Sequence, residues 1–263
     1  MTSAFDIDIF PARQDNNIYV LHDRKSTKSA VIDPTEDAPV LECLKEKGRN
    51  LTKIFCTHHH SDHVGGVIGL KKRTGAVVYA YSGDMHRIRG ADIAVDEGST
   101  VEFAGNVATI MHLPGHTSGS IAYRFVALKQ IFVGDVLFEM GCGRIFEGTH
   151  AQLFMSLCRL KNLPDETLVY TGHEYAHGNA RFALTIDGNN PHLIKRFKEI
   201  ANIQEDIKGR GAFTNPTTIG KERLTNPYFR TDDEEICQFL GMEDASDLEV
   251  FTEIRKRKDA FTG

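Results

Sequence analysis

Four times in this chain an apolar, β-prone run ends on a residue able to bind a metal ion, and that repeated ending limits the folds open to it. Ile54-Phe55-Cys56 leads into Thr57-His58-His59-His60-Ser61-Asp62-His63. The apolar stretch 107–112 leads into Pro114-Gly115-His116, Phe132-Val133-Gly134 into Asp135, and Val169-Tyr170-Thr171-Gly172 into His173. Side chains alternate along an extended segment, so His58 and His60 share one side while His59 points away. Asp62 and His63 follow at the entry to a helix that carries Gly65-Gly66. Imidazole and carboxylate are the ligands that zinc and iron accept when no thiolate is offered. Alone, a histidine run reads as a polar loop that binds metal adventitiously. Three more ligand-type residues at strand ends turn it into sheet edges converging on one centre, with His58, His60, Asp62, His63, His116, Asp135 and His173 as candidate ligands.

Around these endings the pattern is mixed. Val, Ile, Phe and Tyr place strands at 18–21, 29–32, 53–56, 77–81, 107–112, 120–125, 130–133 and 168–171. Helical periodicity falls between them at 39–47, 64–73 and 151–160, which predicts two sheets flanked by helices. After His173 the chain reads as amphipathic helices at 175–185, 192–208 and 246–258. The last opens on a capping box, Ser246-x-x-Glu249, with an apolar row of Leu248, Phe251 and Ile254. Two domains follow: 1–173, carrying the candidate ligands, and 174–263, helical.

Composition excludes several classes. A net charge of −5 lacks the basic footprint of a general nucleic-acid binder. Apolar stretches are strand-sized, too short to span a bilayer, and residues 1–10, with Asp6 and Asp8, do not read as a secretory signal. Five cysteines, odd in number and without a Cys-x-x-Cys pair, fit a reducing cytosol better than a disulfide framework. No Gly-x-Ser-x-Gly elbow supports a serine nucleophile. The remaining histidines, His22, His86, His112, His150, His177 and His192, have no partners at ligand spacing and read as surface or packing residues. Asp33, at a strand end before Pro34, reads either as a turn residue or as a support for the centre. Cys142, between two glycines, reads as a small buried residue rather than a nucleophile.

The stretches THHHSDHVGG, LPGHTSGS, FVGDVLFEMGCGRIFEGT, YTGHEY and IRKRKDAF together resemble the metallo-β-lactamase superfamily and, within it, the glyoxalase II branch, the hydroxyacylglutathione hydrolases. The first stretch marks only the superfamily; GCGRIFEGT, GHEY and the basic tail mark the branch. The resemblance implies an α+β fold, a four-layer αββα sandwich followed by an all-helical glutathione-binding domain. It implies two divalent metal ions, zinc first and iron or manganese as alternatives. His58, His60 and His116 would hold one ion, Asp62, His63 and His173 the other, and Asp135 would bridge them. Asp62 and Asp135 are then the catalytic carboxylates, and the nucleophile is a metal-bridging hydroxide, formed because two adjacent cations lower the pKa of water. The implied reaction converts S-D-lactoylglutathione to D-lactate and glutathione, the second step of methylglyoxal detoxification. The cysteine pattern points to a cytoplasmic chain, and tail helices committed to core and substrate point to a monomer.

Substrate contacts implied by the same resemblance are Arg144, Phe146, Tyr175, Arg255 and Lys258. Unaided, Arg255 and Lys258 would read as a solvated helix face; their place in the tail motif assigns them to the glycyl carboxylate of glutathione. Three positions depart from the family pattern. Phe146 stands where some members carry Tyr, Ser120 where a second histidine often follows Thr-x-Gly, and Val136 where threonine is usual. The rival reading on this fold is a mononuclear-iron persulfide dioxygenase, with a lactonase as another hydrolytic option.

Overall fold

The computed structural model describes residues 5–207 and 214–262. The chain divides into two compact units, one of Met1–His112 and Gly119–Gly134, the other of Leu113–Ser118 and Asp135–Gly263.

The first unit is built on a six-stranded sheet with β1 (Phe5–Ala12), β2 (Asn16–Asp23), β3 (Lys28–Ile32), β4 (Asn50–Phe55), β5 (Val77–Tyr81) and β6 (Ile93–Val95) in sequence order. β1 to β3 are antiparallel and β3 to β6 parallel, so the C-terminal ends of β3, β4 and β5 open on the same edge. α1 (Ala38–Glu46), α2 (Ser61–Val64) and α3 (Val67–Thr74) fill the crossovers. Every residue of β2 is buried, because both of its faces are covered. Ile18 and Val20 pack with Val40 and Leu44 of α1 and Val67 and Leu70 of α3. On the opposite face Tyr19 meets Phe132 at 5.5 Å. That ring belongs to the second layer of strands, β7 (Thr100–Phe103), β8 (Asn106–His112), β9 (Ile121–Phe125) and β10 (Gln130–Gly134), antiparallel in the order β10-β9-β8-β7. Phe5–Phe125 and Phe55–Tyr123 ring pairs, 5.3 and 4.9 Å apart, complete the seam between the strand layers.

The second unit begins with a two-stranded ribbon, β11 (Leu137–Phe138) and β12 (Gly141–Cys142), followed by α4 (His150–Lys161) and β13 (Leu168–Thr171). α5 (Ala176–Ile186), α6 (Pro191–Ile207), β14 (Thr217–Thr218), α7 (Ile219–Thr225), α8 (Glu234–Leu240) and α9 (Asp247–Ala260) follow. Buried Glu222 ties this unit together: Arg196, Thr217, Asn226 and the Met140 amide all donate to its carboxylate. Four donors satisfy a charge that would be costly if left alone. The capping box predicted for α9 is present, with the Glu249 carboxylate accepting from Ser246 N at 2.8 Å and Ser246 Oγ at 2.7 Å.

Three differences from the sequence pattern have physical causes. β1 went unpredicted because it is an edge strand, where Asp6, Asp8 and Pro11 are tolerated. The single helix predicted at 64–73 is split into α2 and α3 at Gly65-Gly66. A Cβ on Gly66 would lie 2.6 Å from the backbone of Glu36, so that close approach excludes a side chain. The predicted helix 192–208 appears as α6, with position 208 outside the described residues, as are positions 1–4 of the N-terminal segment. Among the described residues no helix is long and apolar enough to cross a membrane.

Candidate metal centre

In the first unit the candidate ligands sit on the loop beyond β4 and on α2. His58 and His63 are buried, with ring centroids 4.1 Å apart, and His60 lies 4.7 Å from His58. His59 turns instead to Asp84, Nδ1 to Oδ2 3.3 Å, as alternation along the strand end predicts. His63 Nε2 lies 3.4 Å from Asp62 Oδ2, and that carboxylate also accepts from Asn16 Nδ2 at 3.0 Å.

The Nδ1 contacts define which nitrogen each ring offers. Thr57 Oγ1 donates to Asp33 Oδ2 at 2.6 Å, so it accepts from His58 Nδ1 at 3.1 Å. Asp33 Oδ2 also accepts the Nδ1–H of His63 at 3.0 Å. Both imidazoles are thus held as the Nδ1–H tautomer and present the Nε2 lone pair, the arrangement in which histidine binds metal. Asp33 combines the two readings left open for it: it sits at a positive φ of 48° in the turn and supports the ligand loop.

The second unit carries the other three candidates. His116 Nδ1 donates to the Arg144 carbonyl at 2.7 Å, which again leaves Nε2 as the lone-pair nitrogen. His116 Nε2 and His173 Nε2 approach one oxygen of Asp135, Oδ2, at 3.5 and 3.2 Å. All three side chains are nearly fully buried. A lone pair and a carboxylate oxygen facing each other in a buried place repel, and a cation between them removes the repulsion. The donor set, its tautomers and its burial therefore fit divalent metal ions, and the chain carries His/Asp clusters able to hold them.

Of the predicted substrate contacts, all five lie in the second unit. The Phe146 ring is mostly exposed and packs edge-on to His116 at 5.3 Å. Tyr175 stacks on His173, with centroids 4.8 Å apart and planes 7° off parallel. Arg144 reaches Asp259 at 3.4 Å. Arg255 is not a solvated residue: it is 5% exposed, donates to the Cys142 carbonyl at 2.9 Å and pairs with Asp259 at 2.9 Å. Lys258 lies 3.3 Å from the Gly178 carbonyl and over the rings of Phe182 and Phe261. Burial, then the charge of Arg255, push its ammonium down to about 8. Cys142 is buried, and desolvation lifts its thiol to about 11, as befits a packing residue.

Thr57, Asn16 and Asp259 were not legible as functional residues, since none has ligand spacing or a charge pattern of its own. His22, grouped above with surface or packing histidines, is buried and hydrogen-bonded to Asp8 and Ser29. Ser120 and Val136, two of the family departures, are buried.

These ligand sets and the layered fold define a class, the metallohydrolases of the metallo-β-lactamase superfamily. The family model described as "Metallo-beta-lactamase superfamily" matches residues 12–173, and that described as "Hydroxyacylglutathione hydrolase C-terminus" matches residues 174–261. A hydroxyacylglutathione hydrolase of Rhizobium meliloti (strain 1021) is 45% identical over 259 residues, 98% of this chain and 100% of that protein. Among solved structures, ETHE1 from Myxococcus xanthus superposes with a TM-score of 0.65 at 27% identity, covering 97% of this chain and 98% of that one. TTHA1623 in a di-iron-bound form gives a TM-score of 0.58 at 25% identity, over 85% of this chain and 99% of that one. The chain belongs to the hydroxyacylglutathione hydrolase family of the metallo-β-lactamase superfamily. Its fold is the α+β sandwich of that superfamily with a C-terminal helical domain.

Proposed function

We propose that the chain hydrolyses S-D-lactoylglutathione and related 2-hydroxyacyl glutathione thioesters to the hydroxy acid and glutathione. The observation that carries this reading is similarity to a hydroxyacylglutathione hydrolase along essentially the whole length of both chains. Residues 1–173 form the catalytic domain in this reading, and 174–263 the glutathione-binding one. His58, His60 and His116 would hold one divalent ion and Asp62, His63 and His173 another, with Asp135 available to both. Zinc suits the imidazole–carboxylate set, and the di-iron form of TTHA1623 is a reason to keep iron in view. When bound, the ions acidify water to hydroxide near neutral pH and polarise the thioester carbonyl.

The protein's own groups do the rest. Asp33, Thr57 and the Arg144 carbonyl hold the Nδ1 protons, so His63, His58 and His116 each keep the Nε2 lone pair that a metal ion would need. Arg255 and Lys258 receive the glycyl carboxylate of glutathione, while Arg144, Tyr175 and Phe146 line its path. The departing glutathione thiolate is a fair leaving group, with a thiol pKa of about 8.5, so no protein acid is required. The persulfide-dioxygenase reading is not favoured: the hydroxyacylglutathione hydrolase C-terminus model spans 174–261. Five free cysteines accord with a cytosolic protein, and we take it to act as a monomer.

The test is thiol release from S-D-lactoylglutathione by metal-loaded protein, with His58→Ala and Lys258→Ala compared. The first is expected to abolish turnover and the second mainly to raise KM. Unchanged thiol release in both variants would refute the assignment.

A further inference from the structure

Asp8, His22 and Cys43 meet in the first unit and share no residue with the ligand sets above. β1 and β2 pair so that Asp8 faces Val20, next but one to His22 along the strand. Opposed residues of an antiparallel pair lie on one face, so Asp8, Val20 and His22 all point to the side that α1 covers. Cys43 descends from α1 onto the same spot. His22 Nε2 lies 3.0 Å from Asp8 Oδ2, Cys43 Sγ 3.3 Å from that oxygen and 3.7 Å from His22 Nε2.

From this geometry we propose that Asp8, His22 and Cys43 are three ligands of an additional, thiolate-containing site for a zinc-class divalent cation. A tetrahedral ion with bonds of 2.0–2.3 Å separates its N, O and S donors by about 3.3–3.6 Å, close to the spacings found here. Ser29 Oγ holds the other ring nitrogen of His22 at 2.8 Å and fixes Nε2 toward the trio, as partners of metal-binding histidines do. His22 and Cys43 are buried, while the Asp8 side chain is 26% exposed, so the trio is reached from solvent at Asp8. One thiolate, one imidazole and one carboxylate select zinc or cobalt over magnesium or calcium.

Charge accounting is consistent with exchange of a proton for the ion. Burial and the Asp8 charge push the Cys43 thiol up to about 12, and burial pushes His22 down, so the trio without an ion is a thiol, a neutral imidazole and a carboxylate. Binding breaks the Cys43 S–H bond, forms a sulfur–metal bond and releases that proton to water. Lys47 also hydrogen-bonds Asp8 Oδ2, and its half-exposed side chain can turn to solvent when a dication takes over the neutralisation.

Cobalt(II) tests the site, because the histidine–aspartate sets offer no sulfur. Titration of the full-length protein is expected to give a saturable sulfur-to-cobalt charge-transfer band of the intensity of a single cobalt–thiolate bond per chain, which disappears in Cys43→Ser and needs about tenfold more cobalt in Asp8→Asn. Independently, zinc is expected to slow alkylation of Cys43 in the parent protein by about tenfold, reversed by chelator, as read by peptide mass spectrometry. Absence of the band in the parent, its survival in Cys43→Ser, or alkylation of Cys43 indifferent to zinc would each overturn the proposal and leave a hydrogen-bonded cluster neutralised by Lys47.

Discussion

Asp33 accepts the Nδ1–H of His63 at 3.0 Å and, with the same oxygen, the hydroxyl of Thr57, which in turn holds His58. One carboxylate from the end of β3 therefore orients two candidate ligands on the loop after β4. Asp33→Asn tolerates the positive φ but removes the charge. It is expected to lower metal affinity by about 10–100-fold, measured by chelator competition. An affinity equal to the parent's would show that Asp33 serves the turn alone.

Gly143 is a second constraint on the ligands. A Cβ there would lie 2.0 Å from the Asp135 carbonyl and 3.0 Å from His116 Nδ1. Backbone cannot yield to that contact as a flexible side chain would, so Gly143→Ala must displace Asp135 or His116. Bound metal is expected to fall and stability to drop by about 1–3 kcal/mol, read by elemental analysis and thermal melting. Full metal content at the parent's Tm would contradict the close approach.

Phe146 is 61% exposed beside His116, so a hydroxyl on its ring would meet water or substrate rather than a packed core. Phe146→Tyr is expected to lower KM for the glutathione thioester by roughly two- to tenfold, the worth of one hydrogen bond at about 0.5–1.5 kcal/mol. Steady-state kinetics would show it, with kcat little changed; an unchanged KM would place the ring outside the substrate path.

Lys258 sets the expected pH dependence of binding. Its ammonium is pushed down to about 8, so it is charged below that pH and neutral above. If it holds the substrate carboxylate, KM rises as pH passes upward through about 8, and Lys258→Arg, which stays charged, removes the rise. The stability effect has the opposite sign. Between the folded value near 8 and the ordinary lysine value of 10.5 the unfolded chain binds more protons, so this group makes stability increase with pH across that window. A flat KM from pH 7 to 9 in the parent would remove Lys258 from carboxylate binding.

Much of the candidate centre was legible because its grammar is local. An apolar run predicts its own strand, and the residue after it is at the strand end whatever the partner strands do. For that reason all seven candidate ligands could be named from 57–63, 116, 135 and 173, and the boundaries of β5 and β13 fell where alternation put them. The tail helix was readable from its capping box for the same reason.

What remained hidden depends on register and on which element covers which face. Asp33 and Asn16 support the ligand loop from 30 and 46 residues away in sequence, and no local pattern encodes those meetings. Arg255 looked like one of several surface charges on a basic helix until the fold buried it against Cys142 and Asp259. His22 looked solitary because its partners arrive by strand pairing from Asp8 and by helix packing from Cys43. Sequence alone named the candidate ligands and the chemistry such residues suit, since side-chain type and strand-end position are properties of short segments. Only the tertiary structure decided which nitrogen each histidine presents and which charges lose their water, because both depend on neighbours brought together by long-range pairing.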